Sequence, residues 1–431
     1  MKRFLLITFL VFISSPLCFS QSSDQRISEL IAKSDYFTLK KEYPRLEKDA
    51  HELMQLYATS TINTFFNKPS EANHSINELL TSYSSTIGFD GYVSFVLLMA
   101  DNFVKLNDWE SAVSIYEQLL EQTGQHLDKK QLNEITKRLE EYCIPLKNLP
   151  KFEVDLTKTY TIPFKQNEFN HITLPVKINS NVLDFMLDFG ADISLIHEKY
   201  AKDMGIEYTG DSIHMPSLIN GETHIFVKLG IAKEVHIGDM TLQNVPFHIT
   251  SESIIEMPEK YENSEIKGVI GLSVIRLFKN ITFQKKDKMI VVNSNLIKEP
   301  AESNMLLFND RLIVECYNNN DILLMLFDSG SAETHLQNNY YQKHINNQNQ
   351  WEKSVIGLAG FGGNKLFEVY NLKVFRLEVG TTIFDLDNIP IVVGQQNEHH
   401  FAIDGLLGMD IFEKSNGGLL IDFENMIIKY Y

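Results

Sequence analysis

The chain has 431 residues, 44% of them hydrophobic and 22% charged, and a formal net charge of −17. That length allows two or three domains with sizeable cores, and that balance excludes wholesale disorder. An acidic surface repels phosphate backbones, so nucleic acid is not an expected partner.

Met1-Lys2-Arg3 leads into an uncharged run from Phe4 to Ile13 and then Ser14-Ser15-Pro16-Leu17-Cys18-Phe19-Ser20. A basic start, an apolar stretch of about ten residues and a small-residue exit read as a signal peptide over 1–20, cut after Ser20. Ten residues fall short of the roughly 20 that a bilayer span needs. Leu17 is bulkier than lipoprotein signals accept ahead of their cysteine, which argues against anchoring through Cys18. The expectation is an exported chain, periplasmic or extracellular, with no transmembrane segment once the leader is removed. Losing Lys2 and Arg3 leaves 37 basic and 56 acidic side chains, a net −19. Cys143 and Cys316 then remain without CxxC or Cys/His spacing, so no metal or cofactor is expected, and two buried free thiols are the expected state.

Residues 21–150 read as helical. Ile27–Ala32 and Leu132–Leu146 repeat apolar positions at intervals of three and four, and clusters such as Asn67-Lys68-Pro69-Ser70 divide the pieces. Between Leu98 and Leu120, Ala100, Phe103, Ala112 and Tyr116 set small and aromatic residues at offsets resembling those of tetratricopeptide repeats. Trp109 and Gly124 fall in or near the connecting turns. A plain helical hairpin fits the same pattern. No carboxylate–His or Ser–His constellation lies here, so the region reads as a packing module or as a surface for a protein partner.

Pro145 and Pro150 mark a boundary, after which short alternating strands and Gly and Asn turns take over to the C-terminus. This β-rich part repeats itself, as 151–299 and 300–431. The first copy has a strand to Ile178, a turn Asn179-Ser180-Asn181, then Val182 to Asp188-Phe189-Gly190-Ala191. The second has a strand to Tyr317, a turn Asn318-Asn319-Asn320, then Ile322 to Asp328-Ser329-Gly330-Ser331. Gly268-Val269-Ile270-Gly271 and Gly405-Leu406-Leu407-Gly408 follow, with 83 residues from Asp188 to Gly271 and 80 from Asp328 to Gly408. Each copy then closes with a strand pair, Ile281-Thr282-Phe283 leading to Met289–Val292 and Ile421-Asp422-Phe423 leading to Met426–Ile428. Matched landmarks in matched order indicate an internal duplication.

Each copy thus ends a long apolar strand with Asp and sets Gly two positions later. Burying a lone carboxylate there is expensive. Capping a turn would account for one such Asp. It does not predict the companion glycine segment in both copies.

Asp328-Ser329-Gly330-Ser331 with Leu406-Leu407-Gly408 resembles the active-site signature of aspartic peptidases. Asp188-Phe189-Gly190-Ala191-Asp192 is similar to the retroviral version of that motif. The resemblance covers roughly 165–431 and points to the retropepsin-like family, in the form of two fused lobes. It implies a multidomain α plus all-β protein, in which helical, tetratricopeptide-like hairpins precede two closed β-barrel-like lobes. It also implies an aspartic endopeptidase, a peptide or protein substrate, and Asp188 and Asp328 as a catalytic pair sharing one proton over a water. Phe189, Gly190, Ser329, Gly330, Gly271 and Gly408 would support the two loops, with Ser194 and Thr334 bracing them internally. Asp192 would hold the substrate backbone. The hairpins around Gly221 and around Gly360-Phe361-Gly362 would supply flaps.

One position departs from the pattern. The family's residue after the catalytic Asp is Thr or Ser, whose hydroxyl ties one loop to the other. Ser329 can do this and Phe189 cannot. Two functional classes therefore stand at this point: a peptidase, favoured by both Asp residues, and a peptide-binding protein of the same fold that has lost the chemistry, favoured by Phe189.

Overall fold

The computed structural model describes residues 22–148, 150–216, 224–251, 253–254, 265–293, 302–361, 363–393 and 401–431. The leader expected over 1–20, Gly221 and Gly362 lie outside them. The chain divides into two compact units, one ending at Leu149 and the other running from Pro150 to Tyr431.

The first unit is helical: Ser23–Ala32, Tyr36–Leu46, Glu52–Phe65, Pro69–Lys105, Trp109–Thr123 and Lys129–Arg138. Its early turns repeat one device. Ser34, Asn67 and Asn107 take left-handed backbones, with φ of 55°, 57° and 56°. The next N–H then donates five residues back, from Asp35 to Leu30, from Lys68 to Asn63 and from Asp108 to Phe103. This satisfies helix-end carbonyls that have no partner within the helix. Asp35 and Asp108 also cap the following helix, accepting from the N–H of Thr38 and Ser111 at 3.2 Å. Ala100, Ala112 and Tyr116 are fully buried in the Pro69–Lys105/Trp109–Thr123 hairpin, and Tyr116 Oη donates to Asp101 at 2.9 Å.

By length and composition, helix Pro69–Lys105 is apolar enough to cross a membrane, with an 18-residue window of mean hydropathy 1.3. The sequence reading did not anticipate this. Gly88, at φ 68° and ψ 179°, breaks the helix in its middle. The apolar window is 61% buried within the protein, as expected of a core helix.

The second unit contains two circuits of strands. In the first, Ile172–Ile178 pairs antiparallel with Asn181–Asp188, which runs parallel to Gly268–Gly271. That strand is antiparallel to Ser194–His197, which is parallel to Met240–Thr250. Met240–Thr250 pairs with His224–Ile237, which returns to Ile172–Ile178. The second circuit runs Arg311–Asn318, Asp321–Phe327, Gly405–Leu407, His335–Leu336, Thr382–Val392, Gly363–Val379 and back, with the same sense at every step. Its hairpin turn is Asn319-Asn320, matching Asn179-Ser180. Asn181 and Asn318, read from sequence as turn residues, pair within the ladders instead.

The closing strand pairs are not separate caps. Asn280–Gln284 lies antiparallel to Gly418–Asp422, with Ile281 opposite Ile421, so both copies contribute to one five-stranded sheet. Tyr160–Pro163 completes one edge against Met289–Val292, and Ile427–Tyr430 forms the other.

Candidate active site

Asp188 ends strand Asn181–Asp188, and Asp328 directly follows strand Asp321–Phe327. Phe185, Met186 and Leu187 before the first and Met325 and Phe327 before the second are buried, which fixes both strand ends in apolar surroundings. The glycine segments pair alongside, Gly271 opposite Asp188 and Leu407 opposite Phe327.

The loops after the two Asp residues are held by duplicate bonds. Leu272 N–H donates to Ala191 C=O at 2.7 Å, and Met409 N–H to Ser331 C=O at 2.9 Å. Ser273 N–H donates to Asp192 C=O at 3.0 Å, and Asp410 N–H to Ala332 C=O at 3.2 Å. Ser194 Oγ accepts from Gly271 N–H at 3.1 Å, and Thr334 Oγ1 from Gly408 N–H at 3.0 Å. Gly271 and Gly408 press on these loops so closely that a Cβ would lie 2.7 Å from Ile193 backbone and 2.5 Å from Glu333 backbone.

The loops converge on each other. Gly330 N–H lies 3.1 Å from Asp188 Oδ1 and 2.9 Å from Asp328 Oδ1, while Gly190 N–H donates to Asp188 Oδ1 at 2.7 Å. A single N–H, that of Gly330, is thus within hydrogen-bond reach of both carboxyls. Glycine is required on both loops for this approach. A Cβ at 190 would sit 2.3 Å from Asp328 Oδ1, and one at 330 would sit 2.7 Å from Asp188 Oδ2.

Each carboxyl is half-buried, desolvated yet reachable. Burial first and the neighbouring Asp328 charge second push Asp188 well above the ordinary carboxylate range. Burial also raises Asp328, against the hydrogen bond from Asp188, the Gly330 N–H and the Arg311 charge, which lower it. Burial favours the protonated form of each, and two carboxyls this close titrate as a unit.

Ser329 crosses from one copy to the other. Its Oγ donates to Leu187 C=O at 2.8 Å and accepts from Phe189 N–H at 3.0 Å. Phe189 makes no reciprocal link. Its fully buried ring packs at 5.0 Å on Phe327, 6.3 Å on Phe283 and 6.5 Å on Phe423, over the shared sheet. One half of the interlock is polar and the other aromatic.

His171, which sequence reasoning missed, supports the site from behind. It is buried and hydrogen-bonds Gly330 C=O of the second copy. Asn167 shapes its loop, taking the N–H of Phe169 and His171 on Oδ1 at 2.9 and 3.0 Å, with its Nδ2 lying 3.3 Å from His171 Nδ1. Burial lowers the imidazole to about 4. His171 and Arg311 each stand 17 residues before their Asp, a correspondence that the duplication could have exposed. Asp410 was also missed. It accepts from Thr334 N–H at 2.9 Å and Thr334 Oγ1 at 2.6 Å, clamping the second loop.

Asp192 is half-buried at the end of the first loop. Gly360 and Phe361 form the tip of a hairpin in which Glu352–Gly360 pairs with the strand beginning at Gly363, whose φ is +135°. Cys143 and Cys316 are both buried.

A family model described as aspartyl protease matches residues 174–274, from the strand before Asp188 to the turn after Gly271. No curated protein matches the chain. The match stops short of the second copy, which was recognised through the repeat and through the resemblance of Asp328-Ser329-Gly330-Ser331 to the aspartic peptidase signature. Residues 174–274 form an aspartyl protease-like domain, which places a peptidase-type function at the level of the family.

Proposed function

We propose that the chain is an aspartic endopeptidase whose two circuits are closed β-barrel-like lobes and whose catalytic pair is Asp188 and Asp328. The observation that carries this is one backbone N–H, of Gly330, within hydrogen-bond reach of two desolvated carboxyls, each on a glycine loop, 140 positions apart. Two such groups resist double ionisation, so one proton is shared between them. Asp328 takes a proton from a bound water as its oxygen bonds to the peptide carbonyl carbon. Asp188 gives its proton to the carbonyl oxygen. The tetrahedral adduct then collapses: the amide nitrogen takes the proton held by Asp328 and leaves, and Asp188 takes back a proton from one adduct hydroxyl, which leaves the acid and restores the singly protonated pair. The glycine N–H groups keep the carboxyls oriented throughout. No metal enters this sequence of steps.

In the same reading Asp192 anchors substrate backbone, and the Gly360-Phe361 hairpin covers the cleft. The Gly221 segment is the proposed counterpart of that hairpin. The leader would export the chain, and the helical unit would act as a tetratricopeptide-like surface for a protein partner.

The test is peptide cleavage by the purified protein from pH 3 to 7. Pepstatin-sensitive cleavage lost in both Asp188→Asn and Asp328→Asn supports the peptidase. Phe189 favours a second reading, a binder of the same fold. Peptide binding without turnover by a folded wild-type chain would establish that reading and refute the first.

A further inference from the structure

The hairpin of Glu352–Gly360 and the strand from Gly363 is exposed along its arms, with Val355 60% and Leu366 74% accessible. Its tip is different. Phe361 is 8% exposed and, among the described residues, is the one member from the second copy in a cluster otherwise drawn from the first: Met186, Leu195, Ile225, Val227, Ile254, Ile266 and Val269. Ala191, three residues after Asp188, packs against the same cluster.

Strand register shows what this apolar site adjoins. Val269 lies opposite Met186 on one side and Leu195 on the other, so their side chains share one sheet face. Met186 is two residues before Asp188, and Val269 two before Gly271. The phenyl ring therefore docks beside the strand ends that carry the first carboxyl. An extended arm with bare apolar flanks and one sequestered tip residue is a tethered plug in a receptacle of matching chemistry.

We propose that Phe361 is an intramolecular latch: in the free chain it occupies the first-lobe pocket that a bulky apolar substrate side chain must enter, so substrate binds only by displacing it. This rests on the peptidase reading for the identity of the substrate, though not for the docking itself. A latched fraction multiplies the apparent dissociation constant by the inverse of the open fraction. Removing the ring should therefore lower KM.

The test uses the full chain with 4-fluorophenylalanine at position 361, followed by fluorine NMR. It is titrated with pepstatin and, separately, with a heptapeptide centred on Phe-Phe, in the wild-type background and in Asp188→Asn. A buried resonance that moves to a solvent-like position with either ligand supports the latch, even where no cleavage occurs and the peptidase reading has failed. In an active enzyme, Phe361→Ser should lower KM for that peptide about tenfold, with Phe361→Leu intermediate. A resonance that stays in place with both ligands overturns the latch. So does a KM that is unchanged or higher in Phe361→Ser, which would mark the ring as a strut or as a substrate contact alone.

Discussion

The two strand circuits repeat each other in backbone and diverge in side chain. Six strand pairings, two loop braces and a hydroxyl-to-glycine bond recur in both. Against that constancy, Phe189 faces Ser329, His171 stands where the other copy has Arg311, and Ser273 where the other has Asp410. Even the edge of the shared sheet differs. Tyr160–Pro163 supplies a strand on one side, while on the other Asn304 hydrogen-bonds Ile428 through its side chain, at 2.9 Å to the C=O and 2.8 Å from the N–H. The backbone frame sets where the carboxyls meet. The side chains around it can specialise, because a pair in one chain needs each function only once.

The largest test of that asymmetry is removal of either carboxyl. Asp188→Asn and Asp328→Asn should each lower kcat by about a thousandfold or more, measured on a quenched fluorogenic peptide. Unequal residual rates would show that the two are not interchangeable. Next comes Gly190→Ala, whose Cβ would intrude to 2.3 Å from Asp328 Oδ1. It should lower kcat about a hundredfold with little change in far-ultraviolet circular dichroism.

At the interlock, Phe189→Ala should cost about 3–5 kcal/mol in urea unfolding, the range for deleting a buried phenyl ring. Phe189→Ser should cost about 1 kcal/mol less if its hydroxyl restores the missing half of the link. Equal losses would show that the aromatic packing has no polar substitute. Ser329→Ala should cost about 2 kcal/mol, because Leu187 C=O and Phe189 N–H both lose their partner.

The smallest effect is the pH dependence of stability, where two sets of groups oppose each other. His171, His248 and His335 are lowered by burial from 6.5 to about 4. Their contribution is complete above 6.5 and is lost as pH falls through 4. Asp188 and Asp328 are raised. Their contribution is complete below about 3.8 and is lost as pH rises through their elevated values. Melting curves should show Asp188→Asn gaining on the wild type as pH climbs from 4 to 7. His171→Gln should gain on it as pH falls from 6.5 to 4.

The duplication was legible because it is written in local marks: Asp-x-Gly after an apolar run, Gly-apolar-apolar-Gly later, and Asn at hairpin turns. The likeness of 188–192 to the retroviral motif singled out the same stretch that the aspartyl protease model matches. What the sequence hid is long-range. Nothing in Tyr160–Pro163 marks it as a member of the shared sheet, since four alternating residues suit any edge. His171 reads as an isolated histidine until folding brings Gly330 C=O to it. Phe361 suggests a hairpin tip, but the cluster receiving it is spread from Met186 to Val269. The apolar stretch 69–105 was underrated because its break at Gly88 and its burial are properties of the folded unit.

The sheet joining Asn280–Gln284 to Gly418–Asp422 also fixes how the halves can be taken apart. Their ladder runs from Asn280 opposite Asp422 to Gln284 opposite Gly418, with fully buried Ile281 and Ile421 facing each other. A nick between Asn293 and Glu302 would leave two fragments still clasped by that ladder. Either half synthesised alone would instead bare a ready template for another strand, and would be expected to self-associate.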